Sequence, residues 1–325
     1  EAESSAAEST AAVKEIKVGL VTDIGGLNDK GFNALAYQGL QQAQNELGAK
    51  VDVRESKSDT DYVPNLSYFA QQKYDLVIAV GFLMAKATGE VAKKYPDVQF
   101  AIIDNSVTDE NIASAANVDG LLFKEQEAGY LVGFLAGSLE KAGGFDGAKG
   151  KNTIGSVGGI KIPPVDRYIA GFQAGAKAAD PDIKTVNGYS NDFVDQAKCA
   201  ELAKTQIEQG ADIVFQVAGG CGLGVLDAAK KAGVWGIGVD NDQASVNDRV
   251  LASAIKKVDQ AVFLTAKSVA DGSYVGGKDV LFGLAEDGVG IASINAAVPQ
   301  DIQDAVAQQA DAIKAGSVEI PTEVK

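Results

Sequence analysis

Three aspartates in this sequence each follow a short apolar run directly: Asp23 after the run ending at Thr22, Asp104 after Phe100 to Ile103, and Asp240 after Gly236 to Val239. A carboxylate at a strand end accepts hydrogen bonds from hydroxyl or amino groups. One such aspartate alone reads as a helix N-cap. Three that converge on one cleft suit the diol groups of a sugar, at about 1.5 to 3 kcal/mol for each charged hydrogen bond. Lys256 closes a further run, Val250 to Ile255; it either neutralises the carboxylates and donates to a hydroxyl, or is an ordinary exposed lysine near a helix start. Asn28, Phe32 and Asn33 lie in the glycine-bearing loop after the first run, and Phe193 lies in the corresponding polar loop Tyr189 to Asp195. Two such rings, one from each half of the chain, suit a flat base, with stacking worth roughly 1 to 3 kcal/mol. Phe32 reads equally as a core staple for the helix that follows it.

The run Val217-Ala-Gly-Gly-Cys-Gly-Leu-Gly224 follows a strand and precedes a helix, but no register of its glycines satisfies G-x-G-x-x-G. Gly219 and Gly220 read instead as bare backbone that a ligand can approach. Lys149-Gly-Lys-Asn152 lacks the Walker hydroxyl, and Asp240 to Ala244 breaks the calcium-loop pattern. Cys199 on a predicted helix and Cys221 in the next strand's loop are either bridged or two buried thiols. In the chain-entropy model a bridge contributes roughly 3 kcal/mol.

Composition removes several chemistries. The 325 residues contain no histidine, so Ser-His and Cys-His nucleophiles and the commonest zinc ligand are excluded. A formal net charge of -15 repels nucleic acid and anionic lipid. No apolar run reaches the ~18 residues of a membrane span.

The elements that must position these residues alternate. Nine apolar runs of strand length, at 18–22, 51–55, 76–80, 100–103, 153–157, 185–189, 213–217, 236–239 and 250–254, are separated by segments of helical periodicity. Such runs predict parallel sheets covered on both faces, a doubly wound α/β plan. The rhythm restarts after the glycine- and lysine-rich stretch 141–151, which predicts two similar lobes. Ligands of open α/β sheets sit beyond the carboxyl ends of the strands, where the marked residues fall. The small, polar residues 1–12 read as a tether, with the first lobe expected to begin after residue 14.

Taken together, Val18 to Asn33, Asp59-Thr-Asp-Tyr-Val-Pro-Asn-Leu66, Ile102-Ile-Asp104, Phe215 to Gly220, Gly238 to Gln243 and Ser253-Ala-Ile-Lys256 resemble the basic membrane protein family of solute-binding lipoproteins, receptors of nucleoside ABC importers. The resemblance implies a type I periplasmic-binding-protein fold, with two lobes joined by three hinge crossings. The boundaries expected are 15–121 with 240–272 for the N-terminal lobe and 122–239 with 273–325 for the C-terminal lobe. It carries ligand contacts to Asp23, Phe32, Asn33, Asp104, Phe193, Gly219, Asp240 and Lys256, with the base between Phe32 and Phe193 and the ribose on Asp240 and Lys256. It further implies a purine nucleoside such as inosine, adenosine or guanosine as ligand, an ABC permease as partner, no cofactor, a monomer, and lipid anchoring outside the cytoplasm. Gly31 departs from the serine frequent in the family, and the cysteine pair is not general to it. The alternatives are a nucleoside hydrolase, a binding protein retuned to a sugar, and a sugar-responsive transcription regulator, for which residues 1–16 supply no helix-turn-helix.

Overall fold

The computed structural model of the chain describes residues 15 to 324, so the expected tether over 1–14 lies outside it. β1 (Lys17–Thr22), α1 (Phe32–Leu47), β2 (Lys50–Arg54), α2 (Tyr62–Gln71), β3 (Leu76–Val80), α3 (Ala85–Lys94), β4 (Gln99–Ile103) and β5 (Val118–Phe123) build the first lobe. α4 (Glu125–Ala142), β6 (Thr153–Gly158), α5 (Pro163–Ala179), β7 (Lys184–Tyr189), α6 (Gln196–Glu208), β8 (Ala211–Val217), α7 (Leu223–Ala232), β9 (Trp235–Asp240) and β10 (Val250–Lys256) build the second. The chain then runs through α8 (Val258–Ala270), β11 (Asp279–Phe282), β12 (Val289–Ala292) and α9 (Gln300–Lys314).

The sheets run β2-β1-β3-β4-β5-β11 and β7-β6-β8-β9-β10-β12, the same winding twice. This is the doubly wound plan expected, repeated in two lobes as the resemblance implies. Central strands such as β3 and β8 are buried along their whole length, as strands covered on both faces require. One edge departs from the parallel expectation, since β12 pairs antiparallel to β10.

Helix faces explain the packing. α1 buries Leu35, Ala36, Gly39, Leu40 and Ala43, an apolar stripe at helical spacing. It ends at Gly48, whose φ of 67° is the left-handed conformation of a helix C-cap. A Cβ on Gly39 would lie 2.3 Å from the carbonyl oxygen of Asp259, so α8 approaches α1 to backbone contact. α4 and α5 meet in the same way, with Gly133 of α4 against the backbone of Phe172.

The lobes are joined at Lys124, between β5 and α4, at Lys257, between β10 and α8, and by residues 283–288, between β11 and β12. Two of the expected boundaries therefore move. β10, expected with the N-terminal lobe in 240–272, pairs with β9 in the second sheet. β11, expected with the C-terminal lobe in 273–325, pairs with β5 in the first. The physical reason is that the chain changes lobe after strands have been completed, at 257 and 283–288. The crossings are bonded to one another: Lys124 N–H donates to the Phe282 carbonyl (3.0 Å) and Lys257 N–H to the Gly288 carbonyl (2.8 Å). The Leu284 N–H adds a bond to the Glu127 carboxylate (2.6 Å).

Candidate functional site

Between the lobes, beyond the carboxyl ends of both sets of strands, lies a cavity lined by residues of both lobes, the place where open α/β sheets take their ligands. Asp23, Phe32, Asn33, Asp104, Phe193, Gly219, Asp240 and Lys256 all line it. The structure thus brings together eight of the marked residues from seven places in the chain. Two others fall elsewhere. Asn28 is exposed, on the loop between β1 and α1. Gly220 faces the backbone of Asp29 across the cleft, its Cβ position 3.7 Å from the Asp29 Cα.

The β1–α1 loop is built around two carboxylates. Asp23 Oδ1 accepts from the Gly25 N–H (2.9 Å) and from Asn33 Nδ2 (2.8 Å). Burial pushes the Asp23 carboxyl up to about 6 against the pull of these bonds. Asp29, which the sequence reading passed over, accepts from the N–H groups of Gly31, Asn33 and Ala34 at 3.0, 2.7 and 3.1 Å. These donors at the start of α1 have no partner within the helix, so Asp29 fixes the turn carrying Phe32 and Asn33. An aspartate three residues ahead of the first helical residue was the signal available for it. Asn33 Oδ1 is buried with no hydrogen-bond partner, and the side chain faces the cavity.

The other strand ends supply charge. Asp104 and Asp240 have φ of 70° and 64°, a left-handed backbone that is uncommon for residues with a side chain and is concentrated at functional sites. Lys256 is 2 % exposed and donates to both carboxylate oxygens of Asp104 (2.6 and 2.7 Å) and to Glu125 Oε1 (2.9 Å). An ammonium has three donors, so the lysine expected to hold a ligand hydroxyl is fully engaged within the protein. Glu125, fully buried at the start of α4, also accepts from Arg167 Nε (2.6 Å). Burial opposes the ionisation of Glu125, but Lys256 and Arg167 outweigh it and hold the carboxyl below its usual range. Burial opposes the Lys256 charge too, and Asp104 and Glu125 overcome it, raising the lysine. Asp240 accepts from the Tyr168 hydroxyl (3.1 Å), and burial pushes its carboxyl up to about 7 in spite of nearby Lys256. Sequence reading missed Glu125, Arg167 and Tyr168 because each reads as an ordinary helix residue until its partner is known.

Phe32 and Phe193 enter from opposite lobes. Lys256 Nζ lies 5.0 Å from the centre of the Phe32 ring. Phe193 is seated over Gly159, where a Cβ would come within 2.4 Å of the ring. Gly219 has φ of 56° and lies beneath the same residue, a conformation that L side chains rarely adopt. Cys199 of α6 and Cys221 of the turn after β8 form a disulfide, their Cα atoms 5.6 Å apart. Across the cleft mouth, Gln243 Nε2 donates to the Lys30 carbonyl (3.3 Å). The two lobes are therefore in contact around the cavity.

Comparison with known proteins agrees with this arrangement. Residues 16–323 match the family described as PnrA-like ABC transporter substrate-binding proteins, Bmp. The chain is 34% identical over 330 residues to the Lactococcus lactis protein named ABC transporter nucleoside-binding protein BmpA, covering 95% of this chain and 90% of that one. It is 35% identical over 295 residues to a Pyrococcus abyssi protein named as an uncharacterized lipoprotein, covering 87% and 70%. Among solved structures, a solute-binding protein of an ABC transporter system from Aeropyrum pernix superposes with a TM-score of 0.84 at 26% identity, covering 95% of this chain and 94% of that one. The strand-end site, the paired lobes and these matches lead to one conclusion: the chain belongs to the PnrA-like (Bmp) family of ABC transporter substrate-binding proteins, and is a solute-binding protein, not an enzyme.

Proposed function

We propose that this protein captures a purine nucleoside outside the cytoplasm by closure of its two lobes and delivers it, as a monomer, to an ABC permease. The observation that carries the reading is a cavity with one phenylalanine from each lobe beside buried hydrogen-bond acceptors: Asp23, Asp240 and the unpartnered Asn33 Oδ1. The base stacks between Phe32 and Phe193. Its edge donates to Asn33 Oδ1 and Asp23, and a ribose hydroxyl donates to Asp240, while Lys256 acts through Asp104 and Glu125 rather than on the ligand. Four aspartates line the cavity, Asp23, Asp29, Asp104 and Asp240, and its one lining lysine is already paired, which favours an uncharged guest over a phosphorylated one. The nucleoside-binding name of the Lactococcus relative supports the ligand class. The lipoprotein name of the Pyrococcus relative supports lipid anchoring outside the cytoplasm. Among the described residues no helix is long and apolar enough to cross a membrane.

Isothermal titration with inosine, adenosine, guanosine, hypoxanthine, ribose and inosine monophosphate tests the reading. Nucleosides bind; the nucleotide and ribose do not; and Phe32→Ala and Phe193→Ala each weaken nucleoside binding at least tenfold, about 1.4 kcal/mol. Absence of nucleoside binding, or steady release of hypoxanthine from inosine, overturns it.

A further inference from the structure

Phe193 packs its ring over Gly159, but the loop that carries it is exposed on its other side. Its neighbour Val194 is 54% exposed, and the loop is held mainly by Asp192, which accepts from the N–H groups of Val194 (2.8 Å) and Asp195 (3.0 Å) and pairs with Lys198. Those bonds shape the loop internally. The loop start is bonded to β6 and the residue after it, through the Ser190 and Asn191 N–H groups to the Gly158 and Gly159 carbonyls, and the Phe193 ring rests on Gly159; the backbone of Phe193 itself is held by its carbonyl, which accepts from the Cys221 N–H (3.0 Å). Cys221 belongs to the short turn Gly219–Gly222 after β8, and its sulfur is bonded to Cys199 in the first turn of α6. The covalent link therefore joins the turn that grips the Phe193 carbonyl to the helix into which the Phe193 loop runs. Both cysteines are fully buried, so the link is enclosed within the lobe.

We propose that the Cys199–Cys221 disulfide is a positioning element of the ligand site: it holds Phe193 at the cavity before the ligand arrives, so that binding does not have to order the ring and its loop. The inference rests on the reading of Phe193 as a stacking residue. Ordering a free side chain and its backbone costs binding free energy, and removing the link is expected to weaken affinity by about threefold to tenfold on that scale.

The test is a double-mutant cycle. Inosine is titrated into the wild type, Cys199→Ser/Cys221→Ser, Phe193→Ala and the triple variant. Loss of the disulfide weakens binding threefold to tenfold when Phe193 is present and less than twofold when it is alanine. An equal loss in both backgrounds, the mark of a general structural role, overturns the proposal, as does no loss in either. Should the double variant fail to fold, amide exchange decides in the wild-type chain, refolded with and without the reductant TCEP. Reduction accelerates exchange of the Cys221 amide while the α7 amides stay protected; an unchanged Cys221 amide overturns the proposal. A wild type that binds no nucleoside ends the functional reading, while the exchange experiment still decides this one.

Discussion

Replacing Lys256 by methionine isolates the buried charge cluster. The ammonium satisfies both oxygens of Asp104 and one of Glu125; methionine fills similar space and donates nothing. Glu125 keeps the Arg167 guanidinium at 2.6 Å, but Asp104, 6% exposed, loses its direct ion-pair partner. Removing one partner of a buried ion pair costs about 3 to 5 kcal/mol, unless the remaining group sheds its charge. Asp104 can do so. Burial already raises its carboxyl from an ordinary 3.8 to about 6 with Lys256 beside it, and without the lysine it rises further. A carboxyl whose folded pKa is raised contributes stability below its unfolded value and loses it as pH climbs through the folded value. In the variant that loss continues past the point where the wild type has finished paying it. The stability gap between the two proteins therefore widens above pH 6 by about 1.4 kcal/mol per pH unit. Urea unfolding at pH 6, 7 and 8 is expected to give a gap of about 3 to 5 kcal/mol at pH 8, shrinking by about 3 kcal/mol at pH 6. Adding Asp104→Asn removes most of the dependence. Because Lys256 also holds down Asp240, some slope remains from that residue; a gap that is the same at all three pH values, or a slope that Asp104→Asn leaves undiminished, refutes the assignment of the cost to an unpaired Asp104.

Two further perturbations probe other parts of the chain. Asp29→Ala removes the acceptor of three N–H groups at the start of α1; it is expected to cost about 1 to 2 kcal/mol in urea unfolding and to weaken nucleoside binding by about tenfold through Phe32 and Asn33, and full affinity would show that the turn holds itself. Glu140, at the far end of α4, has its carboxyl pushed up to about 8 by burial and by Asp212 and Asp180, so its contribution is present below an unfolded value of 4.5 and lost as pH rises through 8. Glu140→Gln is expected to raise the melting temperature by a few degrees at pH 9, about 2 to 4 °C per kcal/mol, and by little at pH 5; a variant no more stable at pH 9 than the wild type refutes this.

The strand-end logic was legible because nearly all-apolar runs such as 76–80 have one physical meaning, and the polar residues after them fall at the ligand face of an open α/β sheet. Less of the chain after residue 257 was read. β11 and β12 are four residues each, too short for periodicity to mark, and the lobe boundaries inherited that gap. α8 was legible in principle: Val258, Ala261, Val262, Thr265 and Ala266 are buried at helical spacing. At the site, sequence showed which side chains end strands but not what they do for one another. Lys256 reads as a ligand donor until three carboxylate oxygens are found around it. The left-handed backbone at Asp104 and Asp240 has no signature in residue type, and Asn28 shares its loop with true lining residues while pointing elsewhere.

The bonded crossings at 124, 257 and 283–288 form one continuous strip between the lobes rather than three separate tethers. The Lys124 to Phe282 link extends the β5–β11 pairing of the first sheet and the Lys257 to Gly288 link the β10–β12 pairing of the second, so both edge ladders run on into the hinge. Two further links span the lobes: the Lys256 to Asp104 pair, next to the crossing at 257, and the Gln243 to Lys30 bond, away from it. A substitution at Gln243 therefore changes a contact between the lobes while leaving the bonded strip at the crossings untouched.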